Sequence, residues 1–210
     1  MFKPEYPQLK TTDGELFPVH RIYCVAKNYA DHVREMGSDP ERESPFFFSK
    51  PADAVTQSTE VSFPTLTENL HHEVELVLAL GEGGSIYGYA VGVDLTRRDL
   101  QAEAKRRGRP WDMAKGFDQS APISEIIPST GPFSQLDIRL QVNSVTRQSG
   151  NTAQMIWSVE EILTALGSNV ELKAGDLIFT GTPAGVSRLQ RGDNIDISLG
   201  SDLRHRFTLV

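Results

Sequence analysis

The chain has 210 residues, with 21 Lys and Arg against 28 Asp and Glu, for a formal charge of −7. That balance removes any electrostatic case for nucleic acid, and no basic patch with interleaved aromatics is present. No apolar run approaches the ~20 residues that span a bilayer, and one domain covering residues 1–210 can bury a substantial core.

Residues 1–19 mix polar and proline positions around a turn at Asp13-Gly14, so an N-terminal arm with a short leading strand is expected there. Lys3, Glu5 and two prolines within residues 1–9 do not read as a secretion signal. The lone Cys24 excludes an intrachain disulfide and fits a reducing cytoplasm. Residues 21–25 read as the first core strand. They run into Asn28-Tyr29-Ala30-Asp31-His32-Val33-Arg34-Glu35-Met36-Gly37, a short helix with Asn28 as its expected N-cap and Gly37 as its close. His32 and Glu35 stand at i and i+3 and share a face. Two readings are open for them: a weak pair on an exposed turn, or a dyad that takes a proton from water. Residues 38–44 form a polar loop, and the segment of about 27–45 suits a mobile lid.

Pro45-Phe46-Phe47-Phe48-Ser49-Lys50-Pro51 reads as a strand with aromatics in the core on both faces, and Lys50 reads first as a surface lysine. His71-His72-Glu73-Val74-Glu75-Leu76-Val77-Leu78-Ala79-Leu80 reads as a buried strand. In it Glu73 and Glu75 stand at the period-two spacing that points both carboxylates to one face. Buried side by side, they repel each other and lose hydration, so a proton or cation must neutralise them. A second strand over residues 86–94 ends in Asp94, with Gly88, Ala90 and Gly92 on the same face, small enough to leave room beside it. If the two strands pair, three carboxylates converge into an oxygen-ligand site for a divalent cation. Gly81-Glu82-Gly83-Gly84 between them is a turn, since no helix follows it to make a phosphate loop.

Thr96 and Asp99 resemble a capping box opening a helix that Gly108 ends, with Gln101 one turn inside. Residues 109–120, with Trp111, Lys115 and Phe117, read as a loop over a site. Residues 136–142 alternate as a half-buried strand, with Asn143-Ser144 as a hairpin turn. Ser158 and Glu161 form another capping box, opening a helix that Gly167 ends. The loop Thr180-Gly181-Thr182-Pro183-Ala184-Gly185 is either a structural turn or a cradle whose amides and hydroxyls bind an anionic group. Roughly ten strands and three helices without regular βαβ alternation make a mixed β fold with few helices, of the α+β class.

Six segments then line up in order: Asn28-Tyr29-Ala30-Asp31-His32, Phe48-Ser49-Lys50-Pro51, His71-His72-Glu73-Val74-Glu75-Leu76, Gly92-Val93-Asp94-Leu95-Thr96-Arg97-Arg98-Asp99-Leu100-Gln101, Ala114-Lys115-Gly116-Phe117-Asp118 and Phe179-Thr180-Gly181-Thr182-Pro183-Ala184-Gly185-Val186. Together they resemble the fumarylacetoacetate hydrolase family, and within it the small acylpyruvate hydrolases of the bacterial fumarylpyruvate hydrolase type. The resemblance implies a β-sandwich or β-roll, a homodimer, and a Mg²⁺ or Mn²⁺ ion (Ca²⁺ in crystals) on Glu73, Glu75 and Asp94. It implies a catalytic set of His32, Glu35, Lys115 and Gln101, with His32 and Glu35 on a segment that orders over substrate. Lys27, Lys50, Arg98 and Thr182 fall on substrate-binding positions. One departure stands out: the family usually has Gly-Arg before Asn-Tyr, where this chain has Ala26-Lys27, and a lysine lacks the planar fork that grips a carboxylate. The chain between Glu75 and Asp94 also looks shorter than is common in the family.

The implied activity is cytoplasmic cleavage of a 2,4-dioxo acid to pyruvate and a carboxylic acid. Water activated by the dyad attacks C4, and the metal accepts the charge of the departing enolate. Oxaloacetate decarboxylation and 2-oxo acid tautomerisation use the same enolate without an attacking water. A non-catalytic relative with a structural cation is the alternative of another class.

Overall fold

The computed structural model describes residues 6–37 and 44–210. In chain order the first strands are β1 (Gln8–Lys10), β2 (Leu16–Pro18), β3 (Arg21–Ala26), β4 (Phe46–Lys50), β5 (Val55–Thr56), β6 (Glu60–Val61) and β7 (Leu70–His71). Then come β8 (Val74–Leu80), β9 (Ile86–Val93), β10 (Thr96–Arg97), β11 (Ala121–Pro122) and β12 (Ile127–Pro128). The last are β13 (Asp137–Val142), β14 (Val145–Asn151), β15 (Asp176–Phe179), β16 (Asn194–Leu199) and β17 (Leu203–Leu209). The helices are α1 (Ala30–Glu35), α2 (Arg98–Arg107), α3 (Asp112–Lys115) and α4 (Val159–Gly167). This is the expected mixed β fold with few helices, and no helix among the described residues is long and apolar enough to cross a membrane.

Two sheets carry the architecture. A mixed six-stranded sheet runs in the order β12-β9-β8-β15-β3-β4, and a five-stranded sheet in the order β14-β13-β16-β17-β6. Every residue of β8 is buried, so its period-two alternation sorts side chains between two cores. Val74, Leu76, Leu78 and Leu80 face a large aliphatic cluster shared with the five-stranded sheet. Val77 and Ala79 face a smaller cluster containing Cys24, Ala54, Ala90, Ala121 and Phe179. Glu75 and Glu73 continue this second face by parity, so the acidic pair lies at the edge of the smaller core.

Local chemistry explains several elements. Asn143 and Ser144 both take positive φ, 51° and 66°, the primed turn that matches strand twist and closes the β13–β14 hairpin. The Ser158–Glu161 capping box opens α4 as expected. Two other caps are not made. Tyr29 precedes α1 with no side-chain cap, because the Asn28 amide is spent on Trp157 O, Thr180 O and Trp157 N–H. No side chain caps α2, since Asp99 instead accepts from Thr67 Oγ1 at 2.6 Å and Glu68 N–H at 3.0 Å.

The aromatic strand does reach a core on both faces and departs from expectation at its first residue. Phe46 is half exposed, while Phe47 packs on the large core and Phe48 on the smaller one. Nor do the small residues of β9 leave open space. A Cβ at Gly92 would stand 2.8 Å from the Phe179 ring, and one at Gly88 would stand 2.5 Å from Ile127 O. They are small so that neighbours can close in on them. The expected loop over residues 109–120 contains α3, which carries Lys115. Of the expected N-terminal arm, residues 6–19 form the antiparallel β1–β2 pair, and residues 1–5 lie outside the described residues. The expected lid likewise includes residues 38–43, which are not described.

Candidate active site

Strands β8 and β9 pair antiparallel with Glu75 opposite Gly92. The Asp94 N–H donates to Glu73 O at 2.8 Å and carries that register one row further. Glu73, Glu75 and Asp94 are thereby brought together, each buried, each offering an oxygen within 4.8 Å of the others. The loop after β15 supplies the next contact. Gly181 N–H donates to Glu75 Oε2 at 2.7 Å. Gly181 has φ 99°, and a Cβ there would lie 2.7 Å from Asn28 Cβ, so only glycine lets the loop come this close.

Three cations face the three carboxylates. Lys115 Nζ donates to Glu73 Oε2 at 2.8 Å, to Thr96 Oγ1 at 2.7 Å and to Asp94 Oδ2. Arg98 donates to Glu73 Oε1 at 2.5 Å and to Gln101 Oε1 at 2.7 Å. Lys50 is buried, contrary to its surface reading. Its ammonium stands 2.8 Å from Asp94 Oδ1, yet its N–H groups point to the carbonyl oxygens of Leu95, at 3.2 Å, and Lys115. Among the described residues, Asp94 Oδ1 is therefore buried and accepts no hydrogen bond.

The charges do not balance evenly across the trio. Burial opposes ionisation of Glu73, but Lys115, Arg98 and His32 outweigh it and hold this carboxyl well below its usual range. Burial pushes Glu75 well above the usual range, with Asp94 and Glu73 adding to it and the Gly181 N–H only partly offsetting it. Burial also works against the Lys115 ammonium, though Asp94 and Glu73 hold it above the ordinary lysine value. One acid of the trio thus lacks compensation.

His32 and Glu35 meet across α1, Nδ1 to Oε2 at 3.2 Å, with His32 buried. The Gly185 N–H donates to both Glu35 oxygens, at 3.0 and 3.1 Å. The 180–185 loop does bind anionic groups through its amides, and they are the protein's own Glu75 and Glu35. Its hydroxyls are occupied as well, Thr180 and Thr182 donating to Leu76 O and Val74 O.

A single cavity receives these groups. Lys27, His32, Glu73, Glu75, Asp94 and Arg98 line it, as do Gln101, Lys115 and Thr182. Lys27 takes φ 60°, an uncommon conformation for a side chain other than Gly, Asn or Asp. Glu35 stands behind His32, and Lys50 lies beneath Asp94 and Lys115, so neither forms the cavity wall. Trp111, expected in a loop over the site, does line it, and sequence reasoning overlooked Lys105 and Phe48 on the same wall. A signal for Lys105 was available: Arg98, Gln101 and Lys105 are i, i+3 and i+7 on α2 and share one face.

Residues 21–208 match the fumarylacetoacetate (FAA) hydrolase C-terminal family. Over its whole length the chain superposes on the crystal structure of fumarylpyruvate hydrolase from Pseudomonas aeruginosa in complex with Mn²⁺ and pyruvate. The TM-score is 0.96, with 44% identity and 98% of that chain covered. It is also 44% identical over 169 residues to the fumarylpyruvate hydrolase of Ralstonia sp, covering 75% of this chain and 88% of that protein. The mitochondrial oxaloacetate tautomerase of Mus musculus is similarly near, 40% identical over 200 residues, with 89% and 90% covered. With the family match spanning both sheets and these relatives covering most of its length, the chain belongs to the fumarylacetoacetate hydrolase family.

Proposed function

We propose that this protein is a divalent-metal-dependent hydrolase that cleaves the C3–C4 bond of a 2,4-dioxo acid such as fumarylpyruvate, releasing pyruvate and a second carboxylic acid. The observation that carries the reading is the buried carboxylate trio beside a His–Glu pair in one cavity. The trio fits a hard dication: its donors are all oxygens, Asp94 Oδ1 is buried without a hydrogen bond, and Glu75 lacks a compensating charge. Glu73, Glu75 and Asp94 would hold Mg²⁺ or Mn²⁺. When bound, the ion supplies Lewis-acid stabilisation of the negative charge that develops on the 2-oxo oxygen as the bond breaks.

The chain's own residues do the rest. Glu35, fixed by Gly185 N–H, accepts the His32 Nδ1 proton and leaves Nε2 to take a proton from water. That water attacks C4. The C3–C4 bond then breaks with its electron pair going to the pyruvate enolate, and the proton taken by His32 is returned to C3 to give pyruvate. Arg98 and Lys115 orient Glu73, and Gln101, its oxygen held by Arg98, keeps its NH₂ group for the substrate. All three Lys115 N–H groups are engaged. The one on the neutral Thr96 hydroxyl is the weakest of these bonds and the one Lys115 gives up to donate to the oxyanion at C4. The Lys27 ammonium meets a substrate carboxylate as a point charge, whereas Lys50 acts from beneath, through Asp94.

A second reading is supported by the oxaloacetate tautomerase relatives at comparable identity. The same cavity would then move a proton on C3 of oxaloacetate, and His32 would act on carbon instead of water. A panel of 2,4-dioxo acids assayed by loss of enol absorbance separates the two, with oxaloacetate ketonisation measured on the same preparation. Pyruvate formed in step with the absorbance loss, abolished by chelator and restored by Mg²⁺ or Mn²⁺, is the expected result. Oxaloacetate interconversion without pyruvate from any 2,4-dioxo acid overturns the hydrolase reading.

A further inference from the structure

We propose that Lys105, stacked on Trp111, selects the acyl arm of the substrate and selects one that ends in a carboxylate. The inference rests on the hydrolase reading and assigns the part of the cavity that reading leaves unused. An aromatic wall leads outward from the acidic centre. Lys115 Nζ lies 4.9 Å from the Phe48 ring centroid. Phe48 lies 5.8 Å from Trp111, which also meets Phe46 edge-on at 5.2 Å. Lys105 Nζ lies 4.9 Å over the far ring of this series, Trp111. Phe48 and Trp111, tilted 57° to each other, give a chain leaving C4 an aromatic side to run along, and at its end a cation.

Among the described residues that cation is uncommitted: the Lys105 ammonium has Trp111 as a partner and no carboxylate within ion-pair distance. Two neighbouring cations already have acids to hold: Arg98 has Glu73, and Lys115 has Glu73 and Asp94. Partial burial, followed by Arg98, Lys115 and Lys27, holds Lys105 below the ordinary lysine range, with Glu73 opposing. An anion delivered there relieves that repulsion. The cavity also holds two cations, Lys27 and Lys105, that pair with no carboxylate among the described residues. A 2,4-dioxo acid with a terminal carboxylate brings −2 and places the two charges at opposite ends. The Lys105–Trp111 stack keeps the ammonium at the far end, where the second charge arrives.

The test compares fumarylpyruvate with acetopyruvate, whose acyl arm ends in a methyl group, on the metal-loaded wild type, Lys105→Gln and Lys105→Arg. A hydrogen bond to a charged group contributes ~1.5–3 kcal/mol, so Lys105→Gln should lower the fumarylpyruvate-to-acetopyruvate ratio of kcat/KM at least ~10-fold. The loss should fall on the KM for fumarylpyruvate, and Lys105→Arg should recover most of it. A ratio unchanged in Lys105→Gln, or both substrates lost equally, overturns the assignment. Calorimetry with fumarate and crotonate, which differ by one carboxylate, keeps this separate from the chemistry. Should the wild type cleave neither dioxo acid, the hydrolase reading fails. The subsite still stands if Lys105→Gln weakens fumarate and not crotonate, and falls if fumarate binds equally to both proteins or to neither.

Discussion

The two apolar layers on either side of the six-stranded sheet differ in kind. The layer shared with the five-stranded sheet is built from Leu, Ile, Val and Phe and is closed by hydrocarbon. The other, the thin layer, is the smaller cluster: it mixes Leu9, Ile22, Ile123 and Phe179 with Cys24 and several alanines, and Glu75 and Glu73 continue its face of β8 to meet Asp94. One strand serves both, because β8 alternates Leu76 and Leu78 into the first and Glu75 and Val77 into the second. The comparison teaches where charge can be buried. In the thin layer, small residues let rigid backbone close around the acids, and Gly181 N–H, Lys50 and Lys115 reach them over short distances. At the aliphatic centre of the thick layer an acid would lose its hydration among Leu, Ile and Val side chains that cannot replace it.

Substitutions on the two sides should therefore fail differently. The largest effect is expected at the site: Glu35→Gln should lower kcat by ~10²–10⁴-fold, the usual value of a positioned base, with Mn²⁺ affinity nearly unchanged. Steady-state kinetics beside a metal titration checks both halves, and unchanged turnover removes the dyad from the mechanism. Leu140→Ala, in the thick layer and buried, should cost ~2–5 kcal/mol of stability and leave kcat/KM intact, measured by urea unfolding and assay of the folded fraction. Gly92→Ala, in the thin layer, forces a methyl against Phe179. It should cost ~1–3 kcal/mol and, unlike Leu140→Ala, lower activity too, since Gly92 faces Glu75.

A smaller effect follows from His71, whose pKa is lowered from 6.5 to about 4, first by burial and then by Arg98. The unfolded chain then binds more protons than the native one between those values. That contribution to stability is full above pH 6.5 and lost as pH falls toward 4. Thermal melts across this window should show a slope that His71→Gln flattens. Smallest of all, Arg206→Ala breaks an exposed pair with Asp196 at 2.6 Å and should cost no more than ~1 kcal/mol, with no change in activity.

Parity made the acidic trio legible in the sequence: a carboxylate every second residue in an apolar strand has few physical explanations. The hairpin at Asn143-Ser144 and the Ser158 cap were legible because both are closed by residues next to one another in the chain. What sequence reasoning missed depends on distant partners. Asn28 is drawn away from its helix by Trp157 and Thr180, more than a hundred residues on, and Asp99 by Thr67. Lys50 looked like a surface residue because nothing near it in sequence shows that β4 sits beside β3 and within reach of Asp94. The 180–185 loop binds anions, as one of its two readings held, but the anions are side chains whose approach only the assembled sheet reveals. Lys105 was within reach of helical periodicity, and the wall it completes with Trp111 was not, because that wall joins α2 to β4.

The central claim is that Glu73, Glu75 and Asp94 together hold a divalent cation. Its most direct test is a manganese titration of chelator-stripped protein, followed by the electron paramagnetic resonance signal of the free ion. One tight site per chain is predicted, lost in Asp94→Asn and retained in Glu35→Gln. Manganese left free by the wild type, or bound equally well by Asp94→Asn, would contradict the account.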